Sequence, residues 1–234
     1  MQLDVQDFFR FIFTLVFSFT ITAISPIIGL NSPNIFLPVA LVFSFLISFF
    51  INRALDRKKI ISSAVSVEIS RLRRIHHLSD LIGDTIWRES IQFAIRHYQK
   101  ELGADFLNYH LKTKYFREFS RLIYSYDPRN AREQILFNEL LVTMREIALE
   151  RQLIGVYITQ RLPQYSWLVI CSVAFFLIAL LIMVKDTTLV TQIGISFGVA
   201  SILFILDLLK HTDRISKTER RTFQNWYKEN ISHL

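Results

Sequence analysis

Four apolar runs constrain this chain before any other feature does. They extend from Phe8 to Leu30, Ile35 to Ile51, Tyr165 to Val184 and Leu189 to Leu209, and only Arg10 interrupts the first. A helix needs about 20 apolar residues to cross a hydrocarbon core, so each run is long enough to be a span. The links Asn31-Ser32-Pro33-Asn34 and Lys185-Asp186-Thr187-Thr188 are too short to hold a domain. Each pair of runs is therefore predicted to form a helical hairpin. Half the residues are hydrophobic (51%) and 21 are Phe, a balance foreign to soluble domains and expected of a membrane protein with a water-exposed part.

Charge supplies the orientation. Residues 53–163 hold 19 of the 27 Lys and Arg, residues 210–234 hold six, and the two links hold one, Lys185. The positive-inside rule puts the middle region and both termini in the cytoplasm and both links outside. Tyr157, Tyr165 and Trp167 suit an aromatic interface belt at the third span. The net charge of +7 follows from this asymmetry and does not call for nucleic acid. No signal peptide is apparent, because the first run is too long and lacks a small-residue cleavage site. The lone Cys171 lies in an apolar run and has no partner for an intrachain disulfide.

The expected organisation is a first transmembrane hairpin over 1–52, a cytoplasmic helical domain over 53–163, a second hairpin over 164–210 and a cytoplasmic C-terminal helix over 211–234. The fold class is all-α. In the middle region, Ile60, Ile61, Val65, Leu72, Ile75 and Leu78 recur at helical spacing, with Arg71, Arg73 and Arg74 between them. Gly83 punctuates. Further helices are predicted over Thr85–Glu101, broken by Gly103, then Ala104–Tyr126 and Arg129–Arg161, the last started by Asp127-Pro128. The Arg-rich helices read as solvated faces under the positive-inside rule more readily than as lipid-headgroup sites.

Catalytic and metal signatures are absent from the sequence. His76, His77, His97, His110, His211 and His233 form no HxxxH or HExxH pattern, and the adjacent pair His76-His77 points to different helix faces. These histidines are read as surface or packing residues. No phosphate loop, nucleophile elbow or acid–base carboxylate pair is found, so neither an enzyme, a cofactor nor a metal site is predicted. Gly194 and Gly198 make a GxxxG pattern that suits close packing against another span. Asp207, one turn before Lys210, reads as an interfacial acid paired with Lys210 or Arg214.

The informative stretch is LPVALVFSFLISFFINRALDR, residues 37–57. It starts as a span and runs without a helix breaker into a charged cluster. At about 100° per residue, with Phe45 at zero, Pro38 falls near +20°, Leu41 near −40°, Ser48 near −60°, Phe49 near +40°, Asn52 near −20° and Asp56 near +20°. One stripe thus grades from apolar to polar along the helix. A helix lining an aqueous path behind an apolar neck would show this pattern. So would a helix whose Leu41, Phe45 and Phe49 pack in a bundle or against lipid, with Asn52 and Asp56 beyond the membrane.

The run ISFFINRALDR resembles the end of the second span in bacterial bestrophins, through Ser48, Phe49, Asn52, Asp56 and Arg57. The tryptophan pair that follows in that family is replaced by Lys58-Lys59. The two-hairpin layout resembles the bestrophins as well. Residues Ala64–Leu72 with Glu68, Glu146–Pro163 with its ALERQ and TQRLP runs, and Trp167 resemble the bestrophin-like domain family still more closely. The resemblance implies a homopentameric anion channel, conducting chloride, in which the second spans surround the pore and three apolar rings form a neck. Counting back from Asp56-Arg57 puts the rings at Leu41, Phe45 and Phe49. Aligning on Pro38 puts them at Leu37, Leu41 and Phe45. Ser48, Asn52 and Asp56 are the polar pore-lining residues. Animal bestrophins carry an acidic calcium clasp after the fourth span. Here that region reads KHTDRISKTERR, so no such clasp is expected. The expected partners are the lipid bilayer, four further copies of the chain and permeant anions, and the default location is a bacterial inner membrane. The rival reading is a non-conducting membrane scaffold whose cytoplasmic helices bind a partner protein.

Overall fold

The computed structural model describes residues 5–25, 33–185 and 188–232. It is all-α, with no strand among the described residues. The helices are α1 (Val5–Ile24), α2 (Pro33–Asp80), α3 (Thr85–Ala104), α4 (Thr113–Tyr124), α5 (Ala131–Thr159), α6 (Gln164–Met183), α7 (Leu189–Thr212) and α8 (Lys217–Ser232), with a single 3-10 turn at Tyr109–Lys112 before α4. Leu30 and the first two residues of the first link, Asn31-Ser32, lie outside the described residues, as do Asp186 and Thr187 of the second and His233. Helix α2, 48 residues long, continues past the apolar run as its sequence predicted. Among the described residues, three stretches are long and apolar enough to cross a membrane, beginning at Phe36, Gln164 and Leu189. In α1 the described apolar part is Ile12–Ile24.

The chain divides into two compact units. The first comprises residues 1–55 and 162–214, the second residues 56–161 and 215–234. In the first unit, α7 packs on α1 and on α6. Its core joins Phe43, Ile47 and Phe50 of α2 to Ile170, Ala174 and Leu177 of α6 and Ile202 and Leu209 of α7. A Cβ on Gly198 would approach Leu181 Cδ1 to 3.3 Å, so this glycine gives α6 close access to α7, whereas Gly194 meets nothing within 4 Å. Only half of the GxxxG pattern is a packing contact within the chain. Polar residues of α1 satisfy themselves along the helix: Ser18 donates to the Thr14 carbonyl and Thr22 to the Ser18 carbonyl, each at 2.8 Å. Helices in hydrocarbon need such internal satisfaction.

Lys185, the one basic residue of the links, is 3% exposed. Its Nζ donates to the carbonyls of Thr22 (2.5 Å) and Ser25 (2.7 Å) at the end of α1. A cation there answers the unpaired carbonyls and the negative end of the helix dipole. At the other end of the unit, the Asp213 carboxylate caps the Leu162 N–H at 3.1 Å and is buried. Asp207 is exposed and forms no ion pair with Lys210 or Arg214.

The second unit is built on the later part of α2. Ile61, Val65, Leu72 and Ile75 are buried against Ile91, Ile95 and Leu102 of α3, Phe119 and Ile123 of α4, Leu140, Met144, Ile147 and Ile154 of α5, and Phe223 and Tyr227 of α8. Two sequence expectations fail here for local reasons. Gly103 does not end α3. It is where α8 comes close, since a Cβ would sit 3.1 Å from Lys228 Cγ and 3.4 Å from the Gln224 carbonyl. The helix predicted over 104–126 is instead a bend, a 3-10 turn and a shorter α4. Asn108 Nδ2 donates to Asp105 Oδ2 at 2.6 Å, a local bond that competes with helical pairing. Helix α5 starts three residues after Asp127-Pro128: Asn130 accepts from the Glu133 N–H at 2.9 Å. Glu133 reaches back to the Arg129 N–H (2.9 Å) and the Tyr126 hydroxyl (2.8 Å), a close variant of the capping box.

Candidate functional site

Along the apolar part of α2, the buried residues Phe43, Ile47, Phe50 and Ala54 follow one another at i, i+4, i+7 and i+11. Their angles cluster near 140–200° from Phe45 on an ideal helix. The graded stripe therefore lies on the opposite side from the face that α2 uses to pack into its own unit. Every residue of the stripe is exposed in the single chain: Leu37 (63%), Leu41 (62%), Phe45 (74%) and Phe49 (53%), and also Pro38, Ser48, Asn52 and Asp56. Exposure alone does not choose between the registers Leu37–Leu41–Phe45 and Leu41–Phe45–Phe49. Four large apolar side chains thus stand exposed in one row, which is rare on soluble surfaces.

At the end of the stripe the chain separates two neighbours. Asp56 stays exposed, while Arg57 turns to the opposite side, is 7% exposed and donates to the Gln160 carbonyl at the end of α5. The adjacent charges thus have different tasks: one remains on the stripe, and the other closes a helix end within the second unit.

The structure also contains a buried polar cluster that the sequence pattern had not revealed. Glu68 on α2 is fully buried. Its Oε1 accepts from the Tyr98 hydroxyl, and its Oε2 accepts from Tyr109 (2.7 Å) and Tyr227 (2.5 Å). Arg151 of α5 donates to the Tyr98 hydroxyl, and its guanidinium lies 4.0 Å from Glu68. The same guanidinium stands over the rings of Phe116, Tyr109 and Tyr98 at 4.5, 4.8 and 5.2 Å. Burial first, and the nearby Glu68 second, push the phenols of Tyr98, Tyr109 and Tyr227 well above their ordinary value. With both carboxylate oxygens engaged and the arginine enclosed by rings, the cluster ties α2, α3, the 3-10 turn, α5 and α8 together. Its task is cohesion, because its donors and acceptors already meet one another.

The sequence model of the Bestrophin-like domain family matches residues 33–209, which include all of α2 and the whole second apolar pair. This chain belongs to the bestrophin-like domain family. The fold agrees with that of solved bacterial bestrophin homologues. A point variant of the homologue from Klebsiella pneumoniae superimposes with a TM-score of 0.74 at 11% identity, covering 96% of this chain and 98% of that one. A second Klebsiella pneumoniae variant gives 0.74 at 12% identity over 100% and 98%. A point variant of a membrane protein gives 0.77 at 12% identity over 96% and 98%. At these identities the likeness establishes the fold. No match is found among curated proteins. The bestrophin-like assignment rests on the family match over three quarters of the chain, and the shared fold extends beyond it.

Proposed function

We propose that this bestrophin-like chain is the subunit of a homopentameric ion channel that passes anions, chloride foremost, through a pore lined by α2. The carrying observation is the opposition of two faces on one helix. Phe43, Ile47, Phe50 and Ala54 are committed to packing, and Leu41, Phe45 and Phe49, graded into Asn52 and Asp56, are left exposed. Around a five-fold axis that stripe makes successive apolar rings, with Leu37 as the outer ring in the alternative register. A narrow apolar neck gates by dewetting, and Ser48, Asn52 and Asp56 rewet the path below it. The four apolar runs are the spans, the second unit is cytoplasmic, and both termini lie on that side of a bacterial inner membrane. Lys185 supports this orientation, since the one link cation is consumed as a helix cap rather than presented as surface charge. The basic second unit provides an electropositive approach that favours anions.

The test is conductance of purified protein in planar bilayers. Wild type conducts and prefers chloride over potassium, and Phe45→Ala changes the unitary conductance. A silent wild type, or a Phe45→Ala channel identical to wild type, overturns the assignment.

A second reading rests on α5, where Ile135 (71%), Val142 (53%), Leu149 (54%) and Val156 (50%) form an exposed heptad row. A non-conducting scaffold would cover that row with a partner protein. In a pentamer, subunit contacts would cover it. Native mass spectrometry separates the two: five copies support the channel, and a monomer or dimer supports the scaffold.

A further inference from the structure

The last turn of α2 carries His76, His77 and Asp80. Two adjacent histidines diverge by about 100°, but Asp80 falls about 40° from His76 and about 60° from His77, between them. The carboxylate thereby bridges side chains that the sequence spacing had separated. One ligand atom from each residue lies within 4.8 Å of the other two. His76 is 8% exposed, and neither of its ring nitrogens has a hydrogen-bond partner. Its Nδ1 stands 3.7 Å from Asp80 Oδ2, too far for a hydrogen bond and close enough to share an ion. A buried imidazole left without hydrogen bonds at both nitrogens is costly unless something else uses its lone pair.

The surroundings prepare the site. Gln92 Nε2 donates to Asp80 Oδ1 at 2.7 Å, which orients the carboxylate and leaves Oδ2 toward the histidines. Metal sites use such outer bonds to aim their ligands. The site also sits at the carbonyl end of a long helix, where the dipole favours a cation. Arg96, exposed on α3, opposes it.

We propose that His76, His77 and Asp80 form a binding site for a divalent transition-metal ion of the zinc class. Two imidazoles and a carboxylate suit zinc, with bonds of about 2.0–2.2 Å that bring the ligand atoms to roughly 3.3 Å apart. His76 is fixed by burial, and the exposed His77 and Asp80 close the remaining gap by rotamer adjustment. Three protein ligands leave a coordination position for water. Calcium, which takes oxygen ligands, does not fit this donor set. The site stands on residues outside the pore stripe and is independent of the channel reading.

The test uses tag-free full-length protein in detergent, stripped with chelator and titrated with zinc, with cobalt as a visible-absorption probe. One ion per chain is expected, with thermal unfolding shifted upward as zinc rises. His77→Ala and Asp80→Asn alter exposed side chains, so both variants keep the zinc-free unfolding temperature. Each weakens zinc binding by more than Gln92→Ala does, and Gln92→Ala weakens it about 10–100-fold. The double variant His77→Ala/Asp80→Asn loses the cobalt spectrum. Wild type that retains no zinc overturns the proposal, and so does a double variant that binds as wild type does. Displacement of cobalt by an equal excess of calcium overturns the donor-set argument.

Discussion

The two units use α2 in opposite ways. In the first, the helix buries one apolar stripe and leaves an equally apolar stripe exposed: Phe45 is 74% exposed while Phe43, two residues away, is 4% exposed. In the second, the same helix buries two charged residues, Glu68 at 0% and Arg57 at 7%. Hydrophobicity predicts burial in neither unit by itself. What decides is partnership. Phe45 has no neighbour within the chain to remove it from its surroundings, and Glu68 has three hydroxyls and an arginine. The apolar excess of the first unit points outward. The buried charges of the second unit hold its helices together.

If this contrast is right, the largest loss of stability comes from the charged site. Glu68→Ala leaves three tyrosine hydroxyls and Arg151 facing an empty space and costs about 3–5 kcal/mol, read as a lower midpoint in chemical unfolding. A midpoint within the scatter of surface variants would end the view that this cluster holds the second unit together. Alkali probes the same cluster without mutation. Within it, Tyr98, Tyr109 and Tyr227 are pushed well above their ordinary value, and beside it Tyr126 is pushed up to about 12, mainly by burial and then by its bond to Glu133. Unfolded phenols titrate near 10. The folded state thus holds protons that the unfolded state releases. The stabilisation is full below about pH 10 and is lost as pH rises through the folded values. Tyrosinate absorbance should therefore lag for these four of the eight tyrosines, and then rise together with loss of helical circular dichroism. Eight phenols titrating as one ordinary class, with helix intact, would contradict it.

Next in size is Lys185→Met, which removes a cation bonded to two carbonyls and costs about 2 kcal/mol, visible as a lower unfolding temperature in detergent. Because it is the one buried cation among the described residues of the first unit, an unchanged temperature would erase the likeness between the two units at this point. Asn130→Ala removes the α5 cap and costs about 1 kcal/mol, against which the Glu68 result can be scaled. Smallest is Phe45→Ala, expected to change unfolding of the chain by within about 0.5 kcal/mol while altering conductance. A large loss of stability there would mean that the exposed stripe is a packing face after all.

The sequence makes the helical class and the apolar runs legible, because length and hydropathy suffice to read them. The stripe on α2 is equally legible, since one helix carries all its residues and rotation by a fixed angle puts them on one side. The Glu68 cluster is not legible in that way. Its partners come from residues 30, 41 and 159 positions away, and a single glutamate between apolar positions looks like a solvated one. The hint was the set of lone tyrosines, Tyr98, Tyr109 and Tyr227, in otherwise charged helices. Spacing also gave no sign of the close approach of α8 at Gly103, which reads only as a breaker.

The Glu68 cluster has a consequence for how the protein is made. Its carboxylate is fixed in α2, early in the chain, but one of its three hydroxyl donors belongs to Tyr227, 159 residues later. Until that residue leaves the ribosome, the early helices of the second unit must wait with a buried acid incompletely satisfied. Lys185 sets a similar delay, since the end of α1 gains its cap only after 163 further residues have been made. Both contacts join residues far apart in the sequence, so they form only late in synthesis, and α8 supplies the last of them.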